Sequence, residues 1–132
     1  MAPRHLLIVD DDAGIRQLLV TFLRRYGFQS RQARNGREAL DEMRAGNVDL
    51  VIMDLMMPEM SGLDVLRERE KDRSLRRIPI LVITAMNVHQ AREDVAGKRV
   101  SAVLGKPFDL TALLAAVTSS LVGADLPEPV AA

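Results

Sequence analysis

Cysteine is absent from the 132 residues, which excludes disulfides and thiolate metal sites and fits a reducing compartment, so the cytoplasm is the expected location. Tryptophan is absent too, and with Tyr26 as the single tyrosine the chain lacks a strong intrinsic reporter of metal binding. No charge predominates. Eighteen lysines and arginines balance 18 aspartates and glutamates, so no net field draws the chain to nucleic acid or an anionic membrane, and binding to neither is expected. Long apolar runs are missing as well. Leu6 to Val9 is far shorter than a signal-peptide core, and no later run approaches the roughly 20 residues that cross a bilayer.

What is present is material for one core: 48 % of residues are hydrophobic, in a chain too short for two ordinary domains. Short β-rich runs alternate with stretches of helical period, the pattern of a parallel sheet wrapped by helices. The first strand is read at His5 to Val9, and the helix after it buries Ile15, Leu18, Leu19, Phe22 and Leu23, with Gly27 as its stop. The polar run near Phe28 to Ala33 suits a sheet edge, and Asn35 with Glu38 signals a capping box for the next helix. Asp49 to Met53, continuously apolar after its first residue, reads as the central strand.

Ser61 and Asp64 signal a second capping box, before a helix with Leu63 and Leu66 whose charged continuation from Arg67 to Arg77 reads as solvated surface. Strand Ile80 to Ile83, a thinly apolar helix over Asn87 to Ala96 and a strand at Ala102 to Leu104 follow. The last helix, capped by Asp109, carries Leu110, Leu113, Leu114, Val117 and Leu121. Gly123 is expected to end it, leaving residues 123–132 as a disordered tail or the start of a linker.

Four apolar runs stop at polar residues of different chemistry: LLIV at Asp10, Asp11 and Asp12, LVIM at Asp54, ILVI at Thr84, and AVL, one glycine later, at Lys106. In an open parallel sheet such ends converge where ligands bind. Clustered carboxylates repel unless a cation neutralises them, and one lysine is too few, so the cluster implies Mg²⁺ or raised pKa values. A carboxylate beside a cation and a lysine is also a competent nucleophile toward phosphorus.

LLIVDDD, VIMDLMMPEMSG, VITA and GKPF, in this order and spacing, resemble the signature segments of the receiver domain of bacterial two-component response regulators. The resemblance implies a flavodoxin-like α/β fold over residues 1–122: a single doubly wound five-stranded parallel sheet, order 2-1-3-4-5, with helices on both faces. By motif, Asp54 resembles the phosphoacceptor, Asp11 a direct Mg²⁺ ligand, Asp10 its water-mediated partner, and the Met56 backbone carbonyl completes the metal shell. Thr84 resembles the switching hydroxyl, Ala85 the small residue that leaves room for it, and Lys106 the lysine that contacts the phosphoryl group. The peptide bond before Pro107 is commonly cis in the family. A sensor histidine kinase or histidine phosphotransfer protein is the expected donor, and the only chemistry expected is the chain's own phosphorylation and dephosphorylation.

Asp12 reads mainly as a helix cap. Val103 departs from the family's pattern, standing where most receivers carry an aromatic that swings inward on activation. Met56 and Met86, each two residues beyond a site residue, are placed to influence water access. Two alternatives stand beside this reading. One is a haloacid-dehalogenase-type phosphatase using Asp10, since Asp10 and Asp12 form DxD; the other is a receiver-like binding module that is never phosphorylated.

Overall fold

The computed structural model describes residues 4–125, with side chains as far as Val122. Strands β1 (His5–Val9), β2 (Gln29–Ala33), β3 (Leu50–Asp54), β4 (Ile80–Thr84) and β5 (Val100–Gly105) alternate with helices α1 (Ala13–Arg24), α2 (Gly36–Ala45), α3 (Gly62–Lys71), α4 (Val88–Asp94) and α5 (Leu110–Asp125). The strands form one parallel sheet in the order β2-β1-β3-β4-β5, as expected.

Side chains alternate across each strand and split the core in two. Leu7, Val9, Val51, Met53, Ile80 and Val82 pack with α2, α3 and α4, while Leu6, Ile8, Leu50, Ile52, Leu81 and Ile83 pack with α1 and α5. Every residue of β3 and β4 is buried, as strands covered on both faces require. At β5 the alternation is interrupted: Ile80 pairs with Val100 but Leu81 with Ala102, so Ser101 is an inserted residue. Its hydroxyl donates to the Ile80 carbonyl at 3.2 Å and meets the Ser120 hydroxyl on α5 at 2.7 Å.

Several expected details differ. The buried stripe of α1 centres on Leu19 and Leu23 and takes in Val20, so Leu18 falls past its edge and is 51 % exposed. Glu38 accepts from the Arg34 N–H, one residue before the Asn35 cap, so only the box at Ser61 and Asp64 is reciprocal. Gly27 stops α1 as expected: at φ 87° it lets its own N–H reach Arg24 O and the Phe28 N–H reach Leu23 O. Gly123 does not stop α5, which runs on to Asp125; a helical glycine costs only about 1 kcal/mol, so it marks an end only when the backbone turns there. The remainder of the expected tail, 126–132, lies outside the described residues.

The charged face of α3 is not all solvated. Arg69 is completely buried, and its guanidinium donates to the carbonyls of Ile78, Lys98 and Arg99. Glu70 lies 3.4 Å away, and among the described residues the Nε–H has no partner.

Candidate functional site

Asp10, Asp54, Thr84 and Lys106 stand at the carboxyl ends of β1, β3, β4 and β5, so the sheet order places all four at one edge. Asp10 and Thr84 are fully buried and Asp54 nearly so. Asp10, Asp11 and Asp54 each bring a carboxylate oxygen within 4.8 Å of the others, with Asp11 on the solvent side.

The half-buried Lys106 Nζ lies 2.8 Å from Asp10 Oδ2 and 2.8 Å from Asp54 Oδ2. Burial works against its ammonium, but the hydrogen bonds and charges of Asp10 and Asp54 outweigh that and raise its pKa above the ordinary lysine value. The other carboxylate oxygens are fixed by backbone: Asp10 Oδ1 accepts from the Asp12 N–H and Asp54 Oδ1 from the Met56 N–H, both at 2.9 Å. One ammonium against three carboxylates leaves a local excess of two negative charges. The donor set is all hard oxygen, the type that binds Mg²⁺ rather than a soft metal.

The framework around these groups is local and specific. Asp12 caps α1, its Oδ1 accepting from the Gly14 and Ile15 N–H groups at 2.8 and 3.2 Å. Gly62 opens α3 against the end of β3, where an added Cβ would stand 2.7 Å from Asp54 O and from Leu55 Cα. Between them Met56 is 57 % exposed, and Glu59 takes a left-handed φ of 66° with the Met60 N–H bonded back to Pro58 O at 2.8 Å. The Thr84 hydroxyl accepts from the Met86 N–H at 3.1 Å, Ala85 is exposed, and the Lys106–Pro107 bond is cis. The backbone N–H of Lys106 reaches Thr84 O at 2.7 Å, tying the ends of β4 and β5 together.

Arg16 belongs to this framework and carries no motif signal. Its Nη1 donates to the Asp10 carbonyl at 2.6 Å and its Nε to Gln32 Oε1 at 2.9 Å, so it clamps the turn that presents Asp10 and Asp11. Only contact with β2 fixes that role, and β2 is a neighbour in space rather than in sequence.

The sequence pattern of the response regulator receiver domain matches residues 6–118. The chain belongs to that family. As a receiver domain it is a signalling domain of two-component systems, which does not favour the dehalogenase alternative. The receiver is 31 % identical over 119 residues to the polar-differentiation response regulator DivK of Brucella anthropi, across 90 % of this chain and 97 % of DivK. It is 39 % identical over 121 residues to the response regulator MprA of Mycolicibacterium vanbaalenii, across 90 % of this chain but only 51 % of MprA. Among solved structures, TrrA of Thermotoga maritima in complex with Mg²⁺-BeF superposes with a TM-score of 0.79 at 35 % identity, covering 89 % of this receiver and 99 % of TrrA. Among the described residues no helix is long and apolar enough to cross a membrane.

Proposed function

We propose that Asp54 is the phosphoacceptor of this receiver. The observation that carries the reading is the nearly buried Asp54 carboxylate, 2.8 Å from the Lys106 ammonium and clustered with Asp10 and Asp11. The Asp54 oxygen attacks phosphorus as the bond from phosphorus to a donor histidine nitrogen breaks; the leaving imidazole takes a proton, and no oxidant or reductant is needed. The Met56 N–H fixes the carboxylate's orientation during transfer. Lys106 already bonds two carboxylates and can move one of its hydrogen bonds to a phosphoryl oxygen, while the Thr84 hydroxyl at the end of β4 supplies a further donor.

Asp10, Asp11, Asp54 and the Met56 backbone carbonyl would hold Mg²⁺, consistent with the hard donor set and with the Mg²⁺-BeF complex of TrrA. The ion supplies positive charge to the phosphoryl oxygens during in-line transfer. Ala85, small and exposed beside Thr84, leaves room for the incoming group. The donor is a sensor histidine kinase or a histidine phosphotransfer protein, and phosphorylation alters affinity for a downstream protein. The cytoplasm suits such exchange, and 1–122 is the receiver unit.

The test is intact mass after incubation with Mg²⁺ and a small phosphodonor. A single phosphoryl adduct in wild type, absent in Asp54→Ala, is the expected result. An adduct that survives in Asp54→Ala, or one that forms on Asp10, overturns it.

A further inference from the structure

The zero net charge conceals a segregation. At the edge opposite Asp54, Arg73 and Arg77 lie in the turn between α3 and β4, and Lys98 and Arg99 in the turn between α4 and β5. The two turns are neighbours, because Ile78 O from the first and Lys98 O and Arg99 O from the second meet on the one guanidinium of Arg69. Arg73, Arg77 and Arg99 are exposed and Lys98 half-buried, and among the described residues none of the four side chains has an ion-pair partner.

On the first turn the nearby acids face cations other than these four. Glu70 faces Arg69 at 3.4 Å, and Asp72 faces Arg44 at 3.8 Å and accepts from the Ser74 hydroxyl, while Glu93 and Asp94 on α4 bond His89 at 3.2 Å and the neutral Gln90 amide at 2.9 Å. Helix dipoles account for Lys71 in the last turn of α3, but their reach ends there, before Arg73, Arg77, Lys98 and Arg99. The buried Arg69 guanidinium, which faces Glu70, adds a positive charge of its own beneath the two turns, and negative charge laid over them is favoured there. The same guanidinium makes the surface rigid, since it pins both turns and holds Arg99 at a left-handed φ of 55°.

We propose that the two turns carrying Arg73, Arg77, Lys98 and Arg99 form a docking ledge for an acidic segment of a partner protein, pre-organised from beneath by Arg69. The turns lead into adjacent strands about 4.8 Å apart, so Arg77 and Arg99, just ahead of β4 and β5, are close enough for one short acidic segment to span. Three of the four cations are arginines, which pair with carboxylates in a planar, two-bonded geometry. Duplex DNA is a poorer fit, because specific reading of its groove needs an inserted helix or ribbon and this surface offers two turns. The ledge lies at the edge away from Asp54, so the proposal stands apart from the phosphoacceptor reading.

The test is fluorescence anisotropy of a labelled oligoglutamate peptide with the whole chain at low and moderate salt. Saturable, salt-sensitive binding is expected, weakened about tenfold in Arg73→Glu/Arg77→Glu, whose exposed, unpaired positions leave folding intact. Arg69→Met, which frees the turns but keeps all four surface charges, is expected to weaken binding less than the double reversal. Binding unchanged by the double reversal, no binding at low salt, or tighter binding to single-stranded DNA or anionic vesicles at equal salt overturns the proposal.

Discussion

Lys106 and Arg69 show how differently one positive charge behaves according to its acceptors. Lys106 faces two buried carboxylates, so Lys106→Met leaves Asp10 and Asp54 unneutralised. A loss of about 3 kcal/mol at neutral pH is expected, partly restored by Mg²⁺, which urea titrations with and without the ion will show. Because the folded pKa of Lys106 lies above the ordinary value of 10.5, its contribution is fully present below that pH and fades as pH rises through the folded value. The stability gap between wild type and Lys106→Met is therefore constant from neutral pH to about 10.5 and closes beyond it. Arg69 faces neutral carbonyls, and burial pushes its guanidinium below the usual arginine range against the pull of Glu70. Arg69→Met strands the carbonyls of Ile78, Lys98 and Arg99, at an expected cost of about 2 kcal/mol, with faster amide exchange across residues 97–100 as the local signature.

Among the elements, α3 couples its own start to the site. Gly62→Ala sets a Cβ against backbone atoms of Asp54 and Leu55, which cannot give way as a flexible side chain would. A loss of about 1–3 kcal/mol, with slower formation of the phosphoryl adduct, is expected from denaturation and intact-mass measurements. Ser61→Ala removes the cap and should cost about 1 kcal/mol without changing adduct formation. The Asp64 carboxyl is lowered by the Ser61 backbone N–H and then by the Ser61 hydroxyl, so the box is complete above the ordinary value of 3.8 and lost as pH falls through the folded one. This cap was readable in the sequence because its partners are three residues apart; so were the four strand-end stops, each adjacent to its own apolar run. The acceptors of Arg69 were not, because those on the α4–β5 turn lie 29 and 30 residues away; only its place three after Leu66 and four after Val65, on the buried stripe of α3, sets it apart from the exposed Arg67. Leu18 misled for a related reason: helical period fixes a stripe's spacing, and only packing fixes where its edge falls.

Across the whole molecule, the proposed switch would carry a change at Asp54 outward toward a partner. Val103 packs half-buried against the core beneath α4, and its short side chain has no exposed-to-buried swing to make. Beryllofluoride with Mg²⁺ is expected to protect the site loops from amide exchange while altering α4, β5 and α5 less than in a receiver with an aromatic at that position. An ordinary large change there contradicts this. The inserted Ser101 shifts the strand's count by one ahead of Val103. Val100 packs toward α4, Ser101 and Ala102 toward α5, and Val103 toward α4 again, so the strand counts two consecutive residues to one side and reverses odd and even beyond them. Deleting Ser101 would let Val100, Ala102, Val103 and Leu104 alternate without interruption on the sides they already hold, so the pairing with β4 and the reach of Lys106 to Asp54 are expected to survive. What the extra residue supplies is the bend in β5 and the hydroxyl contact with Ser120 on α5, a strap on the edge strand that carries none of the site's chemistry.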